Sequence, residues 1–124
     1  IAWGKYINAG QTCIAPDYVL VPKDIEEEFV KSLKSAVTKM YGNFDKIKLN
    51  KDYCRIINSR QFLQLKFLVN DAVNKGAEIE YGGEFDESEN FISPTILSSV
   101  NLDSEIMKTE IFGPLLPIIS YGKI

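Results

Sequence analysis

The chain has 124 residues, enough for one modest domain or part of a larger one, and its 45% apolar content suits a globular core. Fourteen Lys and Arg against seventeen Asp and Glu leave a net charge of −3, which gives no electrostatic basis for binding nucleic acid. No apolar run approaches the roughly 20 residues that a membrane helix needs.

The stretch "IAWGKYINA", residues 1–9, reads as the end of a helix, with Gly10 as its stop. "YVLV", Tyr18 to Val21, is apolar and β-rich, and predicts a buried strand bracketed by Asp17 and Pro22. The clearest helix is 24–41. Ile25, Phe29, Leu33, Val37 and Met40 recur at three- and four-residue spacing, which places them on one face. Asp24 and Glu27 suit a capping box, and Gly42 suits a stop. Residues 43–52 are polar and mixed, and read as a loop. A second helix is expected from Ser59, with Phe62, Leu65, Val69 and Ala72 as its stripe and Gly76 as its end. "EIEYGGEF" alternates and then turns at Gly82–Gly83, and the acidic "EFDESEN" reads as a solvated loop tip. "PTILSSV" and "PLLPIISY" are further strands. Pro94, Pro114 and Pro117 are expected at strand starts or on edges. Alternating strands and helices predict an α/β fold, a mainly parallel sheet flanked by helices. Two good helices would leave such a sheet partly uncovered. The start at Ile1 and the end in "ISYGKI" add to the expectation of a segment from a longer polypeptide.

The chemistry centres on Cys13. Two isolated cysteines outside any CxxC pair make no disulfide framework and fit a reducing, cytoplasmic compartment. The chain has no histidine and no cysteine cluster, so no metal site is expected. Cys54, in "KDYCRII", lacks informative neighbours and reads as a packing residue. Cys13 differs. Gly10 permits a tight turn or a close backbone approach just before it. A position between a helix end and a strand exposes backbone N–H groups, which can stabilise a thiolate and an oxyanion on a bound carbonyl. A thiolate can attack a carbonyl carbon without a histidine partner.

Tyr6, then Gly10-Gln11-Thr12-Cys13 and Ile14-Ala15, resembles the cysteine active-site signature of the aldehyde dehydrogenase superfamily. The continuation "APDYVLVP" is similar to its class 3, fatty-aldehyde branch. Far downstream, "TEIFGPLLPI" (Thr109 to Ile118) resembles the superfamily's Glu-Ile-Phe-Gly-Pro motif, and "GGEFDESENFISPTIL" fits its Gly-Gly turn and following strand. The resemblance covers essentially the whole chain, and the two motifs stand in the right order.

The resemblance implies that Cys13 is the nucleophile. It implies that Glu110 accepts hydrogen bonds from the nicotinamide ribose hydroxyls, and that Phe112 lies beside the nicotinamide end of NAD or NADP. Read alone, Glu110 would be a surface carboxylate and Phe112 a core residue; the motif, paired with Cys13, reverses both readings. Thr109 departs from the family, where many members carry a second Glu. The implied reaction is NAD(P)-dependent oxidation of an aldehyde through a cysteine thiohemiacetal and thioester. In the family a glutamate base, an oxyanion asparagine and most of the dinucleotide-binding domain lie before the cysteine. Only twelve residues do so here, and no GxGxxG loop occurs. Residues 1–124 therefore read as a partial, nucleophile-bearing catalytic domain that is inactive alone. Its parent is expected to be a homodimer, and some fatty-aldehyde members carry a C-terminal membrane tail. The alternatives are a CoA-acylating aldehyde dehydrogenase, which "APDY" disfavours, and a non-catalytic truncated α/β piece. A cysteine hydrolase would need a histidine from another chain.

Overall fold

A computed structural model describes residues 1–122. A short helix α1 (Ala2–Tyr6) leads through an irregular loop into β1 (Val19–Pro22). Helices α2 (Glu26–Tyr41) and α3 (Ser59–Asn74) follow, then β2 (Glu78–Tyr81), β3 (Phe85–Asp86), β4 (Phe91–Ile92), β5 (Thr95–Ser98) and β6 (Leu115–Tyr121). The main sheet has the order β1-β6-β5-β2. β1 and β5 run parallel to β6, and β2 is an antiparallel edge. β3 and β4 form a separate two-stranded ladder. The expected α/β fold with a mainly parallel sheet is thus present.

The central strands are near-continuous apolar runs, as strands covered on both faces must be. Ile96, Leu97, Leu115, Leu116 and Ile118 are fully buried. α3 buries Phe62, Leu65, Leu68, Val69 and Ala72, the predicted stripe plus one residue. Asn58 caps it by accepting the Gln61 N–H at 2.9 Å.

Five expectations need correction. "YVLV" is not a buried strand. β1 begins one residue later, lies at the sheet edge and exposes Leu20. Asp24 does not cap α2; it sits in a 3₁₀ turn (Lys23–Ile25), and the helix starts at Glu26 without a side-chain cap. Three glutamates in the first turn serve the helix dipole instead. The buried face of α2 is Val30, Leu33, Val37 and Tyr41, rotated slightly from the predicted stripe, and Ile25 is exposed. Residues 44–49 of the expected loop form a 3₁₀ turn, anchored by buried Ile47. Pro117 lies inside the central strand β6. It is the last residue in register with β5, and Ile118 is the first in register with β1, so the missing N–H falls where pairing passes between neighbours.

Tyrosine hydroxyls tie α1 to both layers. Tyr6 donates to the Thr95 carbonyl of β5 at 3.1 Å, and Tyr41 of α2 donates to the Tyr6 carbonyl at 2.9 Å. Both bonds are buried, so α1 delivers the loop that follows it to a fixed place at the sheet.

Candidate active site

Two loops build the site. The first runs from α1 to β1 and carries Cys13. The second precedes β6 and carries Glu110 and Phe112. Asn8, Ala9 and Gly10 take successive left-handed conformations, with φ of 51°, 51° and 73°. Such a conformation costs a non-glycine residue about 1–2 kcal/mol, so the turn before Cys13 is strained. A single turn then closes from the Ala15 N–H to the Thr12 carbonyl at 3.3 Å, and Cys13 stands exposed on it. Among the described residues, the Cys13 N–H meets no acceptor and the buried Thr12 Oγ1 has no partner.

The second loop presses against the first. A Cβ on Gly10 would lie 2.2 Å from the Gly113 carbonyl oxygen, so only glycine allows this approach. Asp17 Oδ1 accepts the Ile111 N–H at 3.0 Å. From α3, Gln61 Nε2 donates to the Ile111 and Phe112 carbonyls at 3.4 and 3.3 Å. Phe112 itself is held at a φ of 52°.

Cys13, Glu110 and Phe112, distant in sequence, come together. They line one cleft of about 220 Å³ with Lys5, Thr12 and Asp17. Glu110 and Phe112 also line an adjoining groove of about 780 Å³, which holds Arg55 and Arg60 with Gln61 and Gln64. These two residues therefore stand at the junction of the small cleft and the large groove. Cys54 is exposed rather than packed, and it lines neither space.

Lys5 is a site residue that the sequence does not single out. It is 1% exposed, yet it lines the cleft. Burial lowers its pKa to about 8, and the nearby Asp17 carboxylate opposes that shift in part. Asp17 is likewise missed, because beside "YVLV" it reads only as a strand bracket. A lysine at helical spacing from Ile1 gives no signal at all, since its burial depends on loops far along the chain.

The family model for the aldehyde dehydrogenase family matches residues 1–124. The chain is 48% identical to aldehyde dehydrogenase family 3 member A2 of Mus musculus over 124 residues, all of this chain and 24% of that protein. It is 44% identical to the dimeric NADP-preferring aldehyde dehydrogenase of Canis lupus familiaris over 119 residues, 96% of this chain and 25% of that protein. The chain thus spans about a quarter of the length of these relatives. Its fold superposes on the substrate-bound state of Staphylococcus aureus AldH with a TM-score of 0.90 and 41% identity, over 98% of this chain and 26% of that one. Betaine aldehyde dehydrogenase from S. aureus, solved in complex with NAD+, gives a TM-score of 0.78 at 25% identity over 97% of this chain and 25% of that one. The chain belongs to the aldehyde dehydrogenase family.

Proposed function

We propose that this chain is the nucleophile-bearing part of an aldehyde dehydrogenase that oxidises an aldehyde to a carboxylic acid with NAD or NADP. The observation that carries the reading is the single cleft shared by Cys13, Glu110 and Phe112. The Cys13 sulfur, as thiolate, attacks the carbonyl carbon and forms a thiohemiacetal. The Cys13 N–H, which has no internal acceptor among the described residues, is available to the developing oxyanion. The nicotinamide cofactor, when bound, supplies the acceptor for the hydride that leaves the thiohemiacetal carbon. Cys13 then holds the acyl group as a thioester until water releases the acid. The base for that water and the oxyanion amide are glutamate and asparagine side chains from outside this chain, as the family implies.

The residues at the junction fit such a cofactor. The exposed Glu110 carboxylate can accept from two neighbouring ribose hydroxyls. The half-exposed Phe112 ring offers a flat contact for a heterocycle. The polar groove beyond them, with Arg55 and Arg60, suits an anionic diphosphate. The parent enzyme acts as a homodimer in this reading, in keeping with the dimeric Canis relative's name; two cysteines outside any disulfide framework are the support for placing it in the reducing cytoplasm.

The test is aldehyde-dependent NAD(P)H formation by the full-length polypeptide beside its Cys13→Ser form. Turnover that disappears in the Ser form supports the reading. Comparable turnover in both forms would remove Cys13 from the chemistry.

A further inference from the structure

We propose that Gln11 is a positioning residue, a latch that holds the strained turn before Cys13 in its left-handed form. The inference rests on the functional reading of Cys13 above.

Three left-handed residues in a row, two of them not glycine, do not persist without restraint. Gln11 supplies that restraint with every polar atom of its side chain. Its Nε2 donates to the Asn8 carbonyl at 3.1 Å and to the Arg55 carbonyl at 3.1 Å. Its Oε1 accepts the Ile57 N–H at 3.0 Å. Asn8 answers from the other side: its Nδ2 donates to the Gln11 carbonyl at 3.1 Å. The backbone closes the same turn, Gln11 N–H to Asn8 carbonyl at 3.1 Å. One amide therefore grips the turn it belongs to and fastens it to residues 55–57, just ahead of α3. Ala9, in the middle of the turn, is fully buried and has no room to flip independently. Cys13 follows two residues after the latch. Its position relative to Glu110 is then set by Gln11 from one side and by the Gly10–Gly113 contact from the other.

The experiment uses the full-length enzyme. In Gln11→Ala, kcat should fall by about 10- to 100-fold, as misplacement of a reacting group does. Gln11→Glu should behave like Gln11→Ala. It keeps the acceptor for the Ile57 N–H but turns an oxygen toward two carbonyls. Adding Ala9→Gly to Gln11→Ala should recover at least about fivefold in kcat, because glycine holds the left-handed conformation without a latch. A merely structural role is separated by the fraction folded: the kcat loss and its recovery should appear with all variants fully folded by circular dichroism at the assay temperature. Should Gln11→Ala yield no folded enzyme, Gln11→Met keeps the volume and carries the same expectation. Alkylation of Cys13 by iodoacetamide reads the latch without turnover: its rate should fall about fivefold in Gln11→Ala or Gln11→Met and recover with Ala9→Gly. Unchanged alkylation and unchanged kcat in these variants would overturn the latch. Altered alkylation in a protein whose unsubstituted form has no turnover would sink the functional reading and leave the latch standing.

Discussion

Lys5 carries the largest electrostatic penalty in the cleft. Its pKa falls from 10.5 to about 8 because burial strips water from the ammonium group. The difference amounts to about 3 kcal/mol at pH values below 8. The sign is that of a depressed cation. The penalty is present below pH 8, and the unfolded chain binds more protons between pH 8 and 10.5, so stability rises through that window. Buried Tyr6 and Tyr53, whose pKa values burial raises, oppose the gain as the pH passes 10. The urea midpoint should therefore climb between pH 7.5 and 9.5 in the unsubstituted protein, and Lys5→Met should abolish most of the climb. Parallel profiles would contradict this account of Lys5. Glu110 makes a different prediction at the same scale. Glu110→Gln would remove the charge-assisted acceptance of ribose hydroxyls proposed for Glu110, and cofactor affinity should drop about tenfold, or about 1.4 kcal/mol, with little change in stability. Fluorescence titration with NADH checks it. Cys13, Glu110 and Phe112 could be singled out because their motif neighbours mark them. Lys5 could not, because its meaning arises from burial by residues distant in sequence.

Among the elements, the joint between the two site loops matters most. Gly10 has a φ of 73°, and its missing Cβ lets the Gly113 carbonyl approach. Gly10→Ala should cost about 1–3 kcal/mol from backbone strain alone. It should also push the loops apart, so that kcat falls together with stability. A variant with unchanged thermal midpoint and kcat would show that the loops do not depend on this contact. The sequence marks Gly10 as a site of close approach but cannot name Gly113 as the group that approaches. The same division holds for the strands and helices. α3 is legible because Phe62, Leu65, Val69 and Ala72 keep helical spacing throughout. β1 is legible as a strand but not as an edge, since a short apolar run looks alike in either place. The α2 start misleads because Asp24 and Glu27 form a capping pattern that the chain spends on a 3₁₀ turn instead.

At the scale of the molecule, exposed apolar side chains lie on edge strand β1 and near the nucleophile loop. Leu20 on edge strand β1 is 60% exposed, and Trp3 and Ile14 near the nucleophile loop are 66% and 89% exposed. An open strand edge that carries an exposed apolar side chain can pair with a second chain. The 124-residue chain alone should sediment as concentration-dependent oligomers, and Leu20→Lys should lower the association. A strictly monomeric chain at high concentration would contradict the prediction. The same chain should show no aldehyde-dependent NAD(P)H formation, because the proposed mechanism takes its glutamate base and oxyanion asparagine from outside residues 1–124. The central claim is that Cys13 forms the bond to substrate. The most direct measurement is to quench the full-length enzyme during turnover and map the acyl adduct by peptide mass spectrometry. The adduct should sit on Cys13 and vanish in Cys13→Ser. An adduct on another residue, or turnover with none on Cys13, would contradict the account.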